Sequence, residues 1–232
     1  MIDWLLSPLS GAAQQPIAAW AMWHARCMVL GWGLLLPLGV LAARFYKVTP
    51  RQPWPQVLDN PAWWHAHRGL QWAGIGVMSL GAALAWQQAS AATPLARLHG
   101  TAGWVLVVAG WLQIAGGLAR GSKGGPSAAT LRGDHYDMSP QRIAFERLHK
   151  ALGWAALLAA VGVIALGLVL ADAPRWMVLL LGAWWLALAG GFTHLQRRGR
   201  CIDTYQAIWG PDPRHPGNHL AAIGWGVRRP RG

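Results

Sequence analysis

The uncharged run Ala151–Ala171, ALGWAALLAAVGVIALGLVLA, constrains the fold more than any other part of the sequence. A helix needs about 20 mostly apolar residues to cross the hydrocarbon of a bilayer. The whole chain agrees with a membrane location, because 54% of its residues are hydrophobic and only 12% are charged, against about 25% charged in soluble domains. This composition argues against a soluble globular enzyme, a disordered chain and a fibrous repeat.

Five stretches are apolar enough to predict membrane-spanning helices, so we expect an all-α, multi-pass transmembrane bundle with four core helices and a fifth helix. They are approximately Ile17–Phe45, Trp63–Trp86, Leu98–Ala119, Leu148–Ala171 and Trp176–Thr193. Pro37 falls inside the first, where neighbouring helices can accommodate it in a membrane. The 17 tryptophans suit a surface that crosses two lipid–water interfaces.

The 20 lysines and arginines indicate the orientation. All except Arg26, Arg97 and Arg175 fall on the side that holds the first and third connections and the C-terminal tail. Positive charge stays cytoplasmic, so we expect the N-terminus outside and the C-terminus inside. This distribution explains the net charge of +12 better than nucleic-acid binding does, and we expect no nucleic-acid partner.

Three regions follow from this pattern. Residues 1–16 are expected to form an interfacial or loosely ordered lead-in without the features of a cleaved signal. Residues 17–194 form the transmembrane domain, and residues 195–232 form a basic, poorly packed cytoplasmic tail. The longest connection begins with the flexible run GSKGGPS, and Ser139-Pro140 predicts the start of a helix. Cys27 and Cys201 are too few for a disulfide framework.

Four of the predicted spans carry a histidine near their N-terminal ends: His24, His67, His99 and His149. Consecutive spans run in opposite directions, so His24 and His99 should share the outer level and His67 and His149 the cytoplasmic level. Ionisable residues inside spans are functional candidates because burying them in lipid is costly. Two such pairs are what two bis-histidine haems, with both axial positions filled, would require.

Local sequence supports this interpretation. The third and fourth spans begin with a shared RLHxxxGW motif, in which Gly103 and Gly153 lie one turn below the histidines. Three more glycines share a face with a candidate ligand: Gly31 with His24, and Gly74 and Gly81 with His67. Glycines give space for a flat macrocycle, although close helix packing is an alternative reason for them.

Each histidine also has an arginine within two positions: Arg26, Arg68, Arg97 and Arg147. Guanidinium groups pair with carboxylates such as haem propionates, although cytoplasmic charge bias also explains Arg68 and Arg147. Topology anchoring is the favoured role for Arg44 and Lys47. All eight acidic residues lie outside the spans, which weighs against a zinc site and a haem-free cation transporter.

The remaining histidines are weaker candidates. Aligning WHAR (Trp23–Arg26) with WHAH (Trp64–His67) matches His24 to His65, so His65 stays an alternative to His67 as the ligand on that span. His194 is expected at the interface, and His215 and His219 in the tail. Asp134, His135 and Asp137 could hold a cation, but a polar turn is the favoured interpretation.

Together, GWGLLLPLGVLAARFYK, WWHAHRGLQ and the two RLHxxxGW motifs resemble the cytochrome b561 family, in particular the membrane domains associated with DOMON modules. The resemblance covers approximately residues 20–171. It implies two haem b groups, with core helices one and three holding one and helices two and four the other. It also implies electron transfer across a membrane, which in eukaryotic relatives runs from ascorbate to ferric iron or dehydroascorbate.

We therefore expect a membrane electron-transfer protein, an oxidoreductase in the broad sense, with His24, His99, His67 and His149 as iron ligands. Arg26, Arg97, Arg68 and Arg147 are the expected propionate contacts. The alternative is a haem-containing membrane anchor or docking subunit for a separate redox protein. Expected partners are lipid, a small-molecule or protein electron donor and acceptor, and a periplasmic DOMON-type protein, in a bacterial inner membrane.

Overall fold

The computed structural model describes residues 1–13, 16–86, 92–124 and 133–230, which are mostly helical and contain no strand. The helices are α1 (Ile2–Leu6), α2 (Ala19–Phe45), α3 (Ala62–Trp86), α4 (Pro94–Leu118), α5 (Asp134–Asp137), α6 (Pro140–Leu170), α7 (Arg175–Arg197) and α8 (Thr204–Trp209). A short 3₁₀ turn follows at Pro216–His219. The predicted all-α helical bundle is confirmed.

Each of the five predicted spans coincides with a long helix, and within the described residues α2, α4, α6 and α7 are long and apolar enough to cross a membrane. Helix α3 is 25 residues long, but it is not among those four. Its first turns carry His65, His67, Arg68 and Gln71, which lower its mean hydropathy. The second predicted span is therefore a helix of sufficient length whose polar start distinguishes it from the others.

Helix α6 begins where the sequence predicted. The backbone N–H of Arg142 donates to the Ser139 hydroxyl (3.2 Å), and Pro140 occupies the first helical position, where its missing N–H costs nothing. The preceding residues form a polar turn: the Asp134 carboxylate accepts from the backbone N–H of Ser122 (3.1 Å). Residues 125–127 of the glycine-rich run, and Arg132 and Arg231, lie outside the described residues.

Helix α2 accommodates Pro37 through a local change of winding. A π-helical stretch, Val29–Leu35, precedes the proline, and the α-helix resumes at Leu36. Proline cannot donate to the carbonyl four residues earlier, which belongs to Gly33. The indole Nε1 of Trp184 in α7 donates to that carbonyl instead (2.8 Å). Helix α7 thus supplies a hydrogen bond to a carbonyl that Pro37 cannot bind.

The chain divides into two compact units. The first unit comprises Met1–Pro37, Gln71–Trp111 and Ala155–Gly191, and the second comprises Leu38–Leu70, Leu112–Trp154 and Phe192–Gly232.

In the first unit, glycines allow α2 and α3 to pack closely. A Cβ at Gly74 would lie 2.8 Å from Leu36, one at Gly81 2.8 Å from the Cβ of Cys27, and one at Gly31 3.0 Å from the Gly74 carbonyl oxygen. The prediction that these three glycines give space to a macrocycle is therefore wrong. They serve the alternative role of close helix packing.

The N-terminal lead-in is also part of the first unit rather than loosely ordered. The Ser10 hydroxyl donates to the Asp172 carboxylate (2.6 Å), and the Arg175 guanidinium donates to the Ser7 hydroxyl (2.8 Å). The backbone N–H of Leu9 donates to the Ala173 carbonyl (3.2 Å). The hydroxyl and the backbone N–H of Ser10 also lower the pKa of Asp172, because their hydrogen bonds stabilise its ionised form.

In the second unit, the segment 199–230 corrects the prediction of a poorly packed tail. Tyr205 is 1% exposed and packs in a small core with Met138 and Ile223. Its hydroxyl donates to the Tyr136 carbonyl (2.8 Å). The high content of glycine, proline and arginine suggested a loose chain, but the few apolar side chains among them converge on one cluster.

Basic side chains from the helices also bind the backbone of this segment. Lys47 donates to the Ile202 carbonyl (3.1 Å), Lys150 to that of Ile223 (2.9 Å) and Arg44 to that of Trp225 (2.7 Å). Burial lowers the pKa of Lys47 to about 8. The expected topology anchors Arg44 and Lys47 therefore hold the C-terminal segment.

Candidate functional site

The first unit brings His24 of α2 and His99 of α4 together. Their ring centroids lie 6.1 Å apart, and their planes are inclined by 79°. Both side chains are half-buried. The ring Nδ1 of His24 lies 2.9 Å from the Gly81 carbonyl oxygen, and that of His99 lies 3.1 Å from the Val163 carbonyl oxygen.

The second unit brings His67 of α3 and His149 of α6 together in a similar arrangement. Their ring centroids lie 6.4 Å apart, and their planes are inclined by 82°. The ring Nδ1 of His67 lies 3.0 Å from the Gly39 carbonyl oxygen. His65, the alternative on the same helix, is exposed. The structure thus places His67 opposite His149.

Three of the four imidazoles share one hydrogen-bonding mode. A backbone carbonyl only accepts hydrogen bonds, so the Nδ1 atoms of His24, His67 and His99 must carry the proton. In a neutral ring this leaves Nε2 unprotonated and able to bind a metal. Such bonds orient ligating histidines and raise their basicity. His149 is held differently: its ring stacks on Phe145 with centroids 5.2 Å apart, and its backbone carbonyl accepts from the Gln113 amide (3.0 Å).

The ring separations fit the insertion of one iron atom between each pair. An imidazole nitrogen binds a metal at about 2 Å, and the ring centroid lies about 1 Å beyond that nitrogen. Two imidazoles on opposite sides of one iron therefore have centroids about 6 Å apart. Within the described residues, no three His, Cys, Asp or Glu side chains gather as a metal site. Two-ligand pairs suit a haem, whose macrocycle supplies the other ligands.

The glycines of the two RLHxxxGW motifs have more space beside them than the glycines of α2 and α3. A Cβ at Gly103, one turn below His99, would meet no atom within 4 Å. A groove of about 840 Å³ in the same unit is lined by Trp20, Trp86 and Trp104, and neither His24 nor His99 is among its lining residues. In the second unit, a Cβ at Gly153 would lie 3.6 Å from the Gln113 amide nitrogen. The motif glycines Gly103 and Gly153 thus have open or ordinary surroundings, unlike the packed glycines of α2 and α3.

The four candidate arginines are exposed. Arg26 lies over the Trp23 ring, with its guanidinium carbon 4.7 Å from the centroid, and Arg68 lies over Trp64 at 5.6 Å. Propionate binding by Arg26, Arg68, Arg97 and Arg147 stays a prediction.

The sequence interpretation missed Gly167 of α6. A Cβ there would lie 3.0 Å from Cε1 of His99, so only glycine leaves the ring in its position against the Val163 carbonyl. The carbonyl acceptors Gly39, Gly81 and Val163 were also missed, because backbone groups carry no sequence signal. Gly167 is one of three glycines in α6, and the sequence does not distinguish it from Gly162.

A buried charged cluster lies near the second pair. Glu146 is 6% exposed and accepts from Arg142 (3.1 Å) and Lys150 (2.8 Å). The Nδ1 of His135 accepts from the Trp209 indole (3.2 Å). Burial, together with the charge of Arg142, lowers the pKa of His135 to about 4. His135 is therefore a neutral, buried residue that connects α5 to the C-terminal segment.

Comparison with known proteins relates the chain to the cytochromes b561. The chain is similar to a cytochrome b561 protein. Over 143 residues, 62% of this chain, it is 28% identical to the cytochrome b561, DM13 and DOMON domain-containing protein of Arabidopsis thaliana, and the match spans 14% of that protein. No family model and no solved structure matches the chain. The similarity supports the cytochrome b561 family, and with the four apolar helices it supports an integral membrane protein.

Proposed function

We propose that this protein transfers single electrons across the membrane through two haem b groups, one near each face. His24 and His99 would ligate one haem, and His67 and His149 the other. The observation that carries the proposal is the repeated imidazole pair, with ring centroids 6.1 Å and 6.4 Å apart. The name of the Arabidopsis relative, which includes cytochrome b561, agrees with it.

A haem iron would supply one-electron redox chemistry, and the chain's own residues would determine which reactions that iron favours. With His24 and His99 holding one haem and His67 and His149 the other, the chain would favour electron transfer over oxygen chemistry. The carbonyls of Gly81, Gly39 and Val163 hold three of the rings in a fixed orientation. Rigid ligands reduce the structural change that accompanies each electron.

The charge distribution supports the proposed orientation, with the His24–His99 pair outside and the C-terminal segment in the cytoplasm. Arg26 and Arg97 would then contact the outer haem, and Arg68 and Arg147 the inner one. A DOMON-type protein is a proposed outer partner, because the relative's name contains that module. The bacterial inner membrane is the proposed location.

Haem quantitation in single variants tests the two-site assignment. We expect two haems per purified chain, one in His24→Ala or His99→Ala, one in His67→Ala or His149→Ala, and none in the double variant His24→Ala/His67→Ala. His65→Ala is the matched control and should retain both. Equal loss of both haems from every single variant, with helical circular dichroism unchanged, would contradict two independent sites.

Proteoliposomes test the transfer itself. With ferricyanide trapped inside and ascorbate added outside, the parent should oxidise ascorbate and reduce the internal ferricyanide. A variant with one haem should bind that haem yet lose the transfer. Transfer at the parental rate in both single-haem variants would show that the two sites do not form one path.

A further inference from the structure

Two guanidinium groups lie over one indole ring beside the second imidazole pair. The guanidinium carbon of Arg120 is 4.0 Å from the Trp64 ring centroid, and that of Arg68 is 5.6 Å away. The same indole lies 6.1 Å, centroid to centroid, from His67. Arg120 follows the end of α4, so residues distant in sequence meet at this ring. We name Arg68, Trp64 and Arg120 the arginine clamp.

Neighbouring carboxylates do not neutralise the clamp. Glu146 is occupied by Arg142 and Lys150, and Asp59 pairs with Lys123. Within the described part of the chain, neither Arg68 nor Arg120 forms an ion pair. Burial and the positive charges of Arg142 and Arg68 lower the pKa of Arg120, so the surroundings carry an excess of positive charge.

A bound anion would balance this excess of positive charge. Two like charges held over one ring repel each other, and a cation–π contact at an exposed site is only a weak attraction. Guanidinium forks match the two oxygens of a carboxylate. Arg120 is half-buried, which strengthens its attraction for an anion relative to a fully solvated arginine.

We infer that the arginine clamp binds a carboxylate at the His67–His149 pair, and that this carboxylate is a haem propionate. The inference rests on the proposed function and adds Arg120 and Trp64 to its residues. A free carboxylate is the other source of the same chemistry. The Trp64 ring would hold the two guanidinium groups in place while their N–H groups bind the oxygens.

Haem transfer to apomyoglobin tests the clamp. The background is His24→Ala/His99→Ala, which should hold only the second haem. In this background we expect Arg120→Gln to lose haem about tenfold faster, a change that corresponds to about 1.4 kcal/mol, and Arg120→Lys to give a smaller acceleration. Lys123→Gln removes a nearby positive charge that already pairs with Asp59, and as the matched control it should leave the rate unchanged.

Haem dimethyl ester, which lacks the propionate charges, identifies the source. With this ester, Arg120→Gln and its parent should release the macrocycle at equal rates. An unchanged rate for haem b in both Arg120 variants would overturn the propionate assignment. In that case, a second measurement identifies the other source. If added succinate slows the release of haem dimethyl ester from the parent but not from Arg120→Gln, the clamp binds a free carboxylate instead. If the His24→Ala/His99→Ala variant contains no haem, the proposed function is refuted. This result is distinct from a failure of the clamp.

Discussion

The indole Nε1 of Trp184 lies 2.8 Å from the carbonyl oxygen of Gly33. Pro37, four residues after Gly33, cannot supply the helical N–H that would normally bind this carbonyl. In hydrocarbon there is no water to replace it, and an unsatisfied backbone group is costly. One side chain of α7 thus supplies a hydrogen bond that the proline of α2 cannot.

Trp184→Phe should therefore destabilise the protein by about 1 kcal/mol or more, because it keeps an aromatic ring but removes the donor. Thermal unfolding in detergent measures the change. Pro37→Ala restores an N–H near Gly33, so the loss caused by Trp184→Phe should be smaller in the Pro37→Ala background. Equal losses in both backgrounds would show that the indole does not replace the missing N–H.

Gly81→Ala should disturb the His24 site. The new methyl group would lie 2.8 Å from the Cβ of Cys27, so α2 and α3 must separate, and the carbonyl that holds His24 moves with them. We expect a loss of about 1–3 kcal/mol of stability and weaker haem binding by the His24–His99 pair alone. Gly76→Ala in the same helix is the control, because a Cβ there meets no atom within 4 Å. Similar haem contents in both variants would contradict this prediction.

His135 should make stability depend on pH. Its pKa falls from 6.5 to about 4 in the folded protein, so between these values the unfolded chain binds a proton that the folded chain does not. Stability must therefore decrease as the pH falls from 6.5 to 4, by up to about 1.4 kcal/mol per pH unit.

The matched variants are His135→Asn and the exposed His219→Asn. Relative to the parent, His135→Asn should show a shallower loss of melting temperature between pH 6.5 and 4, whereas His219→Asn should keep the parental slope. Parallel curves for all three proteins would exclude His135 as a source of the pH dependence.

Tyr205→Phe should loosen the C-terminal segment. It removes the hydroxyl that donates to the buried Tyr136 carbonyl, and we expect a cost of about 1 kcal/mol with faster proteolysis within residues 199–230. Tyr46→Phe alters an exposed tyrosine, 42% accessible, and should leave the proteolysis rate unchanged. Faster cleavage in both variants, or in neither, would argue against this contact as the anchor.

The sequence alone determined the helices and their approximate ends. Uncharged runs such as Ala151–Ala171 can satisfy their backbone groups in lipid only as helices, and Ser139-Pro140 marks a helix start by local chemistry. The four histidines could be recognised as candidates for a related reason, because placing an imidazole within an apolar span costs free energy and such residues are therefore rare.

Tertiary structure decided what each small or basic residue does. Gly81 and Gly103 each share a helix face with a candidate histidine, yet a Cβ at Gly81 would meet a neighbouring helix and one at Gly103 would meet open space. Likewise, Arg120 reaches Trp64, and Tyr205 is buried in a segment whose composition suggested a loose tail. Sequence patterns indicate the free-energy cost of placing a residue in lipid or in a helix. The contacts of these residues depend instead on which distant side chain lies within a few ångströms, and only the tertiary structure determines that.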